Sequence, residues 1–231
     1  MAKGQENRPL DRERPGFLAK GVSGMGNPAK REWRGCLKWG EKHYICILEF
    51  DMDSVRLHDK EFVPYISNEE LEKDIDAVAQ KVNEQHKNDT EAPILLCVLN
   101  GAILFTAELM KRLEFNCELM SIKLSSYEGT RSVGTVKTDM GLTGSVKGRT
   151  VIVCEDIVDT GNTIVSLHKM LLEAGAAKVE ICTMLLKPEV YKQPLKPDYV
   201  GREIPARFIV GFGLDYDQLG RNLKDIYVLK D

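Results

Sequence analysis

The sequence predicts an α/β protein built on a parallel sheet with helices on both faces. Three observations carry that prediction. Strand-sized, mainly apolar runs at 94–99, 150–154 and 179–186 alternate with stretches of helical periodicity, the pattern of strands buried on both sides. The helical stretches begin or end on recognisable capping signals. One apolar run finishes in three carboxylates within five residues, followed at once by a glycine turn; in open α/β sheets, ligands bind beyond the carboxyl ends of the strands. The 231 residues are 43% hydrophobic and 29% charged, which supplies a sizeable core and excludes fibrous or wholly disordered classes.

Taken in order, the first 51 residues stand apart. Positions 1–40 hold nine basic and four acidic side chains, a net +5, against −8 for the remainder. Seven glycines and no hydrophobic periodicity in that stretch leave too little apolar surface to offset chain entropy. Its GVSGMG run, Gly21 to Gly26, has no strand before it and no helix after it, so it is no nucleotide fingerprint. Residues 43–50 have the composition of a short strand. We therefore expect a poorly structured basic extension over 1–51 and one domain over 52–231. Translation beginning at Met52 would explain the break; a basic arm for a polyanionic partner is the alternative.

From Met52 the pattern is regular. Ser67 and Glu70 form a capping box ahead of Leu71, Ile75, Val78, Ala79 and Val82 at helical spacing. A strand at 94–99, a helix over 102–113 and a strand at 117–124 follow. Residues 125–148 are polar and too long for a plain connector, which marks a functional loop. Next come a strand at 150–154, a helix over 163–174 closed by Gly175, and a strand at 179–186. Short strands near Tyr199, at 208–210 and at 226–229 complete the chain.

Several classes are excluded. No run approaches the roughly 18 apolar residues of a membrane span, and the polar N-terminus lacks the apolar region of a secretory leader. A net charge of −3 and a pI near 5.9 give no global reason to expect nucleic acid. Of six cysteines, Cys97, Cys117, Cys154 and Cys182 lie within apolar runs with no C-x-x-C spacing; they read as buried reduced thiols of a cytoplasmic protein. His43, His58, His86 and His168 show no metal-ligand spacing.

The chemistry is concentrated in Val151-Ile-Val-Cys-Glu-Asp-Ile-Val-Asp-Thr-Gly-Asn-Thr163. Gly161 permits a tight turn, so that consecutive N–H groups and the Thr160 and Thr163 hydroxyls converge on a phosphate at a helix N-terminus. Glu155, Asp156 and Asp159 would repel that anion unless ribose hydroxyls or Mg²⁺ stand between. The competing reading is that these acids only cap the helix.

This string resembles the phosphoribosyl-pyrophosphate (PRPP) signature of type I phosphoribosyltransferases, and specifically of hypoxanthine-guanine phosphoribosyltransferases. The resemblance runs from Val63 to Asp231 and includes Val98-Leu-Asn-Gly101, Ser126-Tyr127, Leu186-Lys187, Lys196-Pro-Asp-Tyr-Val-Gly201 and Phe208-Ile-Val-Gly-Phe-Gly-Leu-Asp-Tyr216. It implies the type I fold: a parallel sheet flanked by helices, a small hood from the C-terminal segments and a mobile lid loop. It implies purine salvage, in which hypoxanthine or guanine takes the phosphoribosyl group of PRPP to give IMP or GMP plus pyrophosphate, with Mg²⁺ as cofactor.

By the same resemblance Asp159 is the general base at purine N7, and Glu155 and Asp156 hold the ribose hydroxyls and Mg²⁺. Thr160, Gly161, Asn162 and Thr163 wrap the 5′-phosphate. Leu99, Asn100 and Gly101 form the pyrophosphate loop, where the family often has a non-proline cis peptide, and Arg221 lies near pyrophosphate. Lys187 donates to the exocyclic O6, which suits an oxopurine and opposes adenine. Tyr199 stacks on the purine, Val200 reads its Watson–Crick edge, and Ser126 and Tyr127 belong to the lid. A homodimer or homotetramer is implied, with no membrane partner.

Two departures stand out. Asn100 replaces a frequent lysine, and Ala206 stands where an aspartate for a second Mg²⁺ is expected, which leaves the choice among hypoxanthine, guanine and xanthine open. Two rivals also remain: a phosphoribosyltransferase for another base, and a PRPP-binding regulator that keeps the fold without catalysis.

Overall fold

The structure is a computed structural model that describes residues 36–39, 43–46, 54–125 and 137–230; the chain divides into two units, Met1–Asp51 and Met52–Asp231. In the first, β1 (Cys36–Trp39) pairs antiparallel with β2 (His43–Cys46), so part of the expected 43–50 strand is present.

The second unit opens on β3 (Val55–Leu57) and β4 (Lys60–Ile66). It continues through α1 (Asn68–His86), β5 (Ile94–Leu99), α2 (Ile103–Met110), β6 (Glu118–Ser125) and β7 (Lys137–Met140). Then come β8 (Thr150–Val158), α3 (Asn162–Glu173), β9 (Lys178–Leu186), β10 (Tyr199–Glu203), β11 (Ile209–Val210) and β12 (Ile226–Leu229). The main sheet has the order β10-β9-β8-β5-β6-β7. Five of its strands are parallel, and β7 runs antiparallel to β6 at one edge.

Side chains alternate across a strand, and here the alternation separates two cores. Leu95, Ile152, Cys154, Cys182 and Met184 face α1 and α2, where they meet Leu71, Ile75, Phe105 and Leu109. Ile94, Leu96, Val98, Val151, Val153 and Ile181 face α3 and meet Ile164, Leu167 and Leu171. Helix α1 starts as expected: Ser67 Oγ accepts from the Glu70 N–H while Glu70 Oε2 accepts from the Ser67 N–H. Its buried stripe of Leu71, Ile75, Val78, Ala79 and Val82 gains about 1.5–3 kcal/mol per large apolar side chain.

Three boundaries differ from the sequence reading. β8 runs on through both carboxylates to Val158, because β9 pairs with it as far as Val158↔Leu186. Helix α2 ends at Met110, and the next residues tighten into turns, with Arg112 N–H on Leu109 O and Leu113 N–H on Met110 O. The hood is not made by C-terminal segments alone. It is a four-stranded antiparallel sheet, β11-β12-β4-β3, in which two strands from before α1 join two from the end of the chain.

Cys97, Cys154 and Cys182 stand abreast on three neighbouring strands as free buried thiols, while Cys117 is half-buried. No helix among the described residues is long and apolar enough to cross a membrane.

Candidate active site

Four stretches of chain meet beyond the carboxyl ends of β5, β8 and β9. The first follows β5, where the Leu99–Asn100 peptide is cis and Gly101 is pressed against Asp156. A Cβ on Gly101 would stand 1.6 Å from Asp156 Oδ2, so only glycine lets the carboxylate lie on this loop. The second comes from the hood: Gly213, at a φ of +98°, would place a Cβ 2.0 Å from the Gly101 carbonyl oxygen. Arg221 ties this turn down, donating from Nη1 to Gly213 O at 2.8 Å and pairing through Nη2 with Asp215 at 2.6 Å.

The third stretch is the end of β8 and the turn after it. Glu155 and Asp156 lie inside the strand and helix α3 begins only at Asn162, so these acids are not its caps. Glu155 is buried, and its Oε2 has no hydrogen-bond partner among the described residues. Burial first, and then the neighbouring Asp156 charge, push its pKa well above the ordinary carboxylate range. Burial also drives Asp156 up to about 6, while the Ile157 N–H and then Arg221 pull the other way and Asp215 adds to the rise. Two under-compensated carboxyl groups side by side are poised to accept from hydroxyl donors or to meet a hard cation. They open on a cavity of about 220 Å³ lined by Val98, Leu99, Gly101, Leu124, Glu155, Asp156 and Thr163.

Gly161 caps α3 at a φ of +82°, with no side-chain cap bond. The N–H groups of the first helical turn are therefore left for an anion. Thr160 and Asn162 are exposed around this turn and Gly161 itself is covered.

The fourth stretch begins at Lys187, directly after β9. Its side chain is 12% exposed and its Nζ lies 3.0 Å from Oδ2 of Asp159, which is 51% exposed. A donor and an acceptor thus stand together at the mouth of the site.

The structure brings together Leu99, Asn100, Gly101, Glu155, Asp156, Asp159, Thr160, Gly161, Asn162, Thr163, Lys187 and Arg221. It does not bring Tyr199 or Val200 there. Tyr199 pairs with Cys182 and Val200 with Thr183, five and four residues before Lys187, which at about 3.3 Å per residue puts both well below the strand ends. Tyr199 is 7% exposed, packs in the α1-side core and points its hydroxyl at Glu180. Ser126 and Tyr127 lie outside the described residues.

The sequence reading passed over two groups. Asp215 is the further carboxylate acting on Asp156, which removes the weight placed on Ala206; that residue sits on an exposed turn with its N–H on Glu189. Phe208 is an aromatic left 44% exposed at the end of the segment that starts beside β9, where the Ile204 N–H donates to Leu186 O. Both lie inside the 208–216 stretch already singled out, and only tertiary register separates them from Tyr199. Among the described residues no group of three His, Cys, Asp or Glu is placed to enclose a metal. A cation here would be held by one or two carboxylates together with ligand oxygens.

Comparisons agree with this geometry. The family model for a phosphoribosyl transferase domain matches residues 65–217. The chain is 46% identical over 139 residues to the hypoxanthine-guanine phosphoribosyltransferase of Lactococcus lactis, covering 60% of this chain and 75% of that one. It is 41% identical over 161 residues to that of Streptococcus pneumoniae, covering 68% and 89%. Among solved structures, a Staphylococcus aureus hypoxanthine phosphoribosyltransferase superposes with a TM-score of 0.68 at 31% identity, covering 72% of this chain and 90% of that one. The Trypanosoma cruzi hypoxanthine phosphoribosyl transferase gives 0.69 at 31%, covering 76% and 95%.

Proposed function

The chain belongs to the hypoxanthine-guanine phosphoribosyltransferases of the phosphoribosyltransferase family, and from that premise we propose how its own residues perform purine salvage. The reaction joins hypoxanthine or guanine to PRPP: the bond from ribose C1′ to pyrophosphate breaks, the bond from C1′ to purine N9 forms, and the base gives up its N7 proton. The observation that carries the reading is the 3.0 Å pairing of Lys187 with Asp159. N7 and O6 lie side by side on one edge of a 6-oxopurine. An ammonium and a carboxylate at hydrogen-bonding distance from each other match that edge, with Asp159 taking the N7 proton and Lys187 donating to O6. A 6-amino group would set donor against donor.

The turn at Thr160, Gly161, Asn162 and Thr163 holds the 5′-phosphate on free N–H groups. Glu155 and Asp156 accept from the ribose hydroxyls, and Leu99, Asn100, Gly101 and Arg221 receive the pyrophosphate. The orphaned Glu155 oxygen and the raised Asp156 pKa are the donor chemistry Mg²⁺ suits, so Glu155 and Asp156, with Asp215 beside them, are the residues that would hold it. Held there, Mg²⁺ would supply positive charge against the pyrophosphate leaving group. Phe208, rather than Tyr199, is the aromatic we assign to the purine face. The remaining partner is a second copy of the chain, seated on the outward apolar stripe of α2 at Ile103 and Met110 together with Leu119 of β6, all exposed in the single chain.

Nucleotide formation from PRPP, with hypoxanthine, guanine, xanthine and adenine in parallel, tests the reading. Turnover is expected with oxopurines only, and Asp159→Asn should lower kcat by roughly 10²–10⁴-fold. Folded protein that binds PRPP and turns over no base would make the chain a PRPP-binding regulator instead.

A further inference from the structure

The connection between β9 and β10 has a part the mechanism above leaves unused. It is anchored at both ends. At its start the Lys187 N–H donates to Val158 O at 3.0 Å, and the Tyr191 N–H closes a turn onto Lys187 O at 3.1 Å. At its finish the Asp198 N–H donates to Ile181 O at 2.8 Å, while Asp198 Oδ2 accepts from the Ile181 N–H at 2.7 Å. Between these anchors the chain lies across the glycine turn. A Cβ on Gly161 would stand 2.3 Å from Tyr191 Cε2 and 2.9 Å from Gln193 Cγ, so both side chains bear directly on the turn. Gln193 Nε2 also donates to Asn162 Oδ1 at 2.9 Å. The Tyr191 hydroxyl is buried without a hydrogen-bond partner among the described residues, so packing, not a polar contact, sets the position of the ring.

We propose that residues 188–198 form a strap that positions the 5′-phosphate loop, with Tyr191 clamping Gly161 and Gln193 orienting Asn162. The inference rests on reading that loop as the 5′-phosphate cradle. The N–H groups of a turn bind phosphate well only when held in place before the ligand arrives. No helix cap holds this turn, and the strap supplies the restraint from outside. Because the strap begins directly after Lys187, it joins the oxopurine end of the site to the phosphate end. Tyr191 and Gln193 are positioning residues and need not touch substrate.

The test compares ligands with and without the phosphate. Tyr191→Ala and Gln193→Leu are expected to raise KM for PRPP and weaken IMP binding about tenfold. KM for hypoxanthine and the affinity for inosine, which lacks the phosphate, should stay at wild-type values. Tyr191→Phe, which keeps the ring, should restore KM for PRPP. Unchanged KM for PRPP in Gln193→Leu and in folded Tyr191→Ala would overturn the strap, as would equal weakening of IMP and inosine. Should Tyr191→Ala not fold, Gln193→Leu decides alone. Wild-type protein inert with PRPP and every base would instead sink the underlying functional reading, so the two failures are distinct.

Discussion

His86 shows how one side chain is fixed by chemistry far from the reaction. Its ring is 2% exposed, with Nδ1 at 2.7 Å from Asp89 and Nε2 at 2.8 Å from Glu180, itself 5% exposed. Glu180 also meets Lys178 and the Tyr199 hydroxyl, and Phe115 lies against the imidazole. The Glu180 hydrogen bond, helped by Asp89 and opposed by burial, raises the His86 pKa above 6.5. Glu180 is pulled the other way: burial raises it, but His86 and Lys178 outweigh burial and lower its pKa below 4.5. A raised histidine contributes stability that is complete below its unfolded pKa and fades as pH climbs through the folded one; a lowered carboxylate contributes above its unfolded pKa and fades as pH falls. Between these limits the pair's own contribution is constant, from about pH 4.5 to 6.5, and it declines above that range; the raised Glu155 and Asp156 carboxyls add a separate loss as pH rises. In His86→Leu the alkaline decline should become shallower by the histidine's share, and stability should drop by about 1–3 kcal/mol, because Glu180 keeps Lys178 and the Tyr199 hydroxyl but loses the partner of its Oε2. Thermal melts of wild type and variant across pH check both; an alkaline slope as steep in the variant as in wild type would clear His86 of the role. Asp159 and Lys187 could be placed because the family resemblance is carried by contiguous motifs at strand ends, 151–163 and 186–187. Tyr199 could not, because its neighbour in the sheet is Cys182, and the register of a parallel strand is set by long-range pairing.

At the scale of elements, the site depends on two loops that touch through their backbones. Gly101 from the β5–α2 loop lies under Asp156 of β8 and against Gly213 of the hood turn, so any side chain there must push one of them away. Gly101→Ala should therefore move the Asp156 carboxylate and cost about 10²-fold in kcat/KM, with the circular dichroism spectrum retained. A variant at wild-type rate would mean that the contact yields without consequence for the site. The helices and central strands were legible from period and capping alone, and β4 was not. Its sequence, KEFVPYI, carries a proline, which argues against a strand with neighbours on both sides. Yet β4 lies between β12 and β3. Pro64 is accommodated opposite Tyr227, at the register shift between Ile226 and Tyr227, where the ladder is already irregular and the missing N–H matters least. The sequence places the hood at the C-terminus for the same reason: without β3 and β4, only β11 and β12 are left to build it.

The whole molecule poses the question of how much chain the activity requires. The described strands of the main sheet and the hood come from Val55 onward. The site residues all lie between Leu99 and Arg221, and the outward stripe at Ile103, Met110 and Leu119 is carried by α2 and β6. The basic stretch of 1–40, by contrast, adds charge without apolar periodicity, and charge alone does not build a core. We therefore expect catalysis, folding and any assembly to belong to residues 52–231. A chain starting at Met52 should match the full 26.0 kDa chain in kcat, in both KM values and in melting temperature to within about 2 °C. Light scattering should give it the mass of at least two protomers, since the stripe at which copies would meet is retained. A truncated chain that melts early, or runs as a monomer where the full chain does not, would show that the first 51 residues stabilise the fold or the assembly. Retained assembly with a higher KM for PRPP alone would give the basic segment a part in drawing the polyanionic substrate to the site.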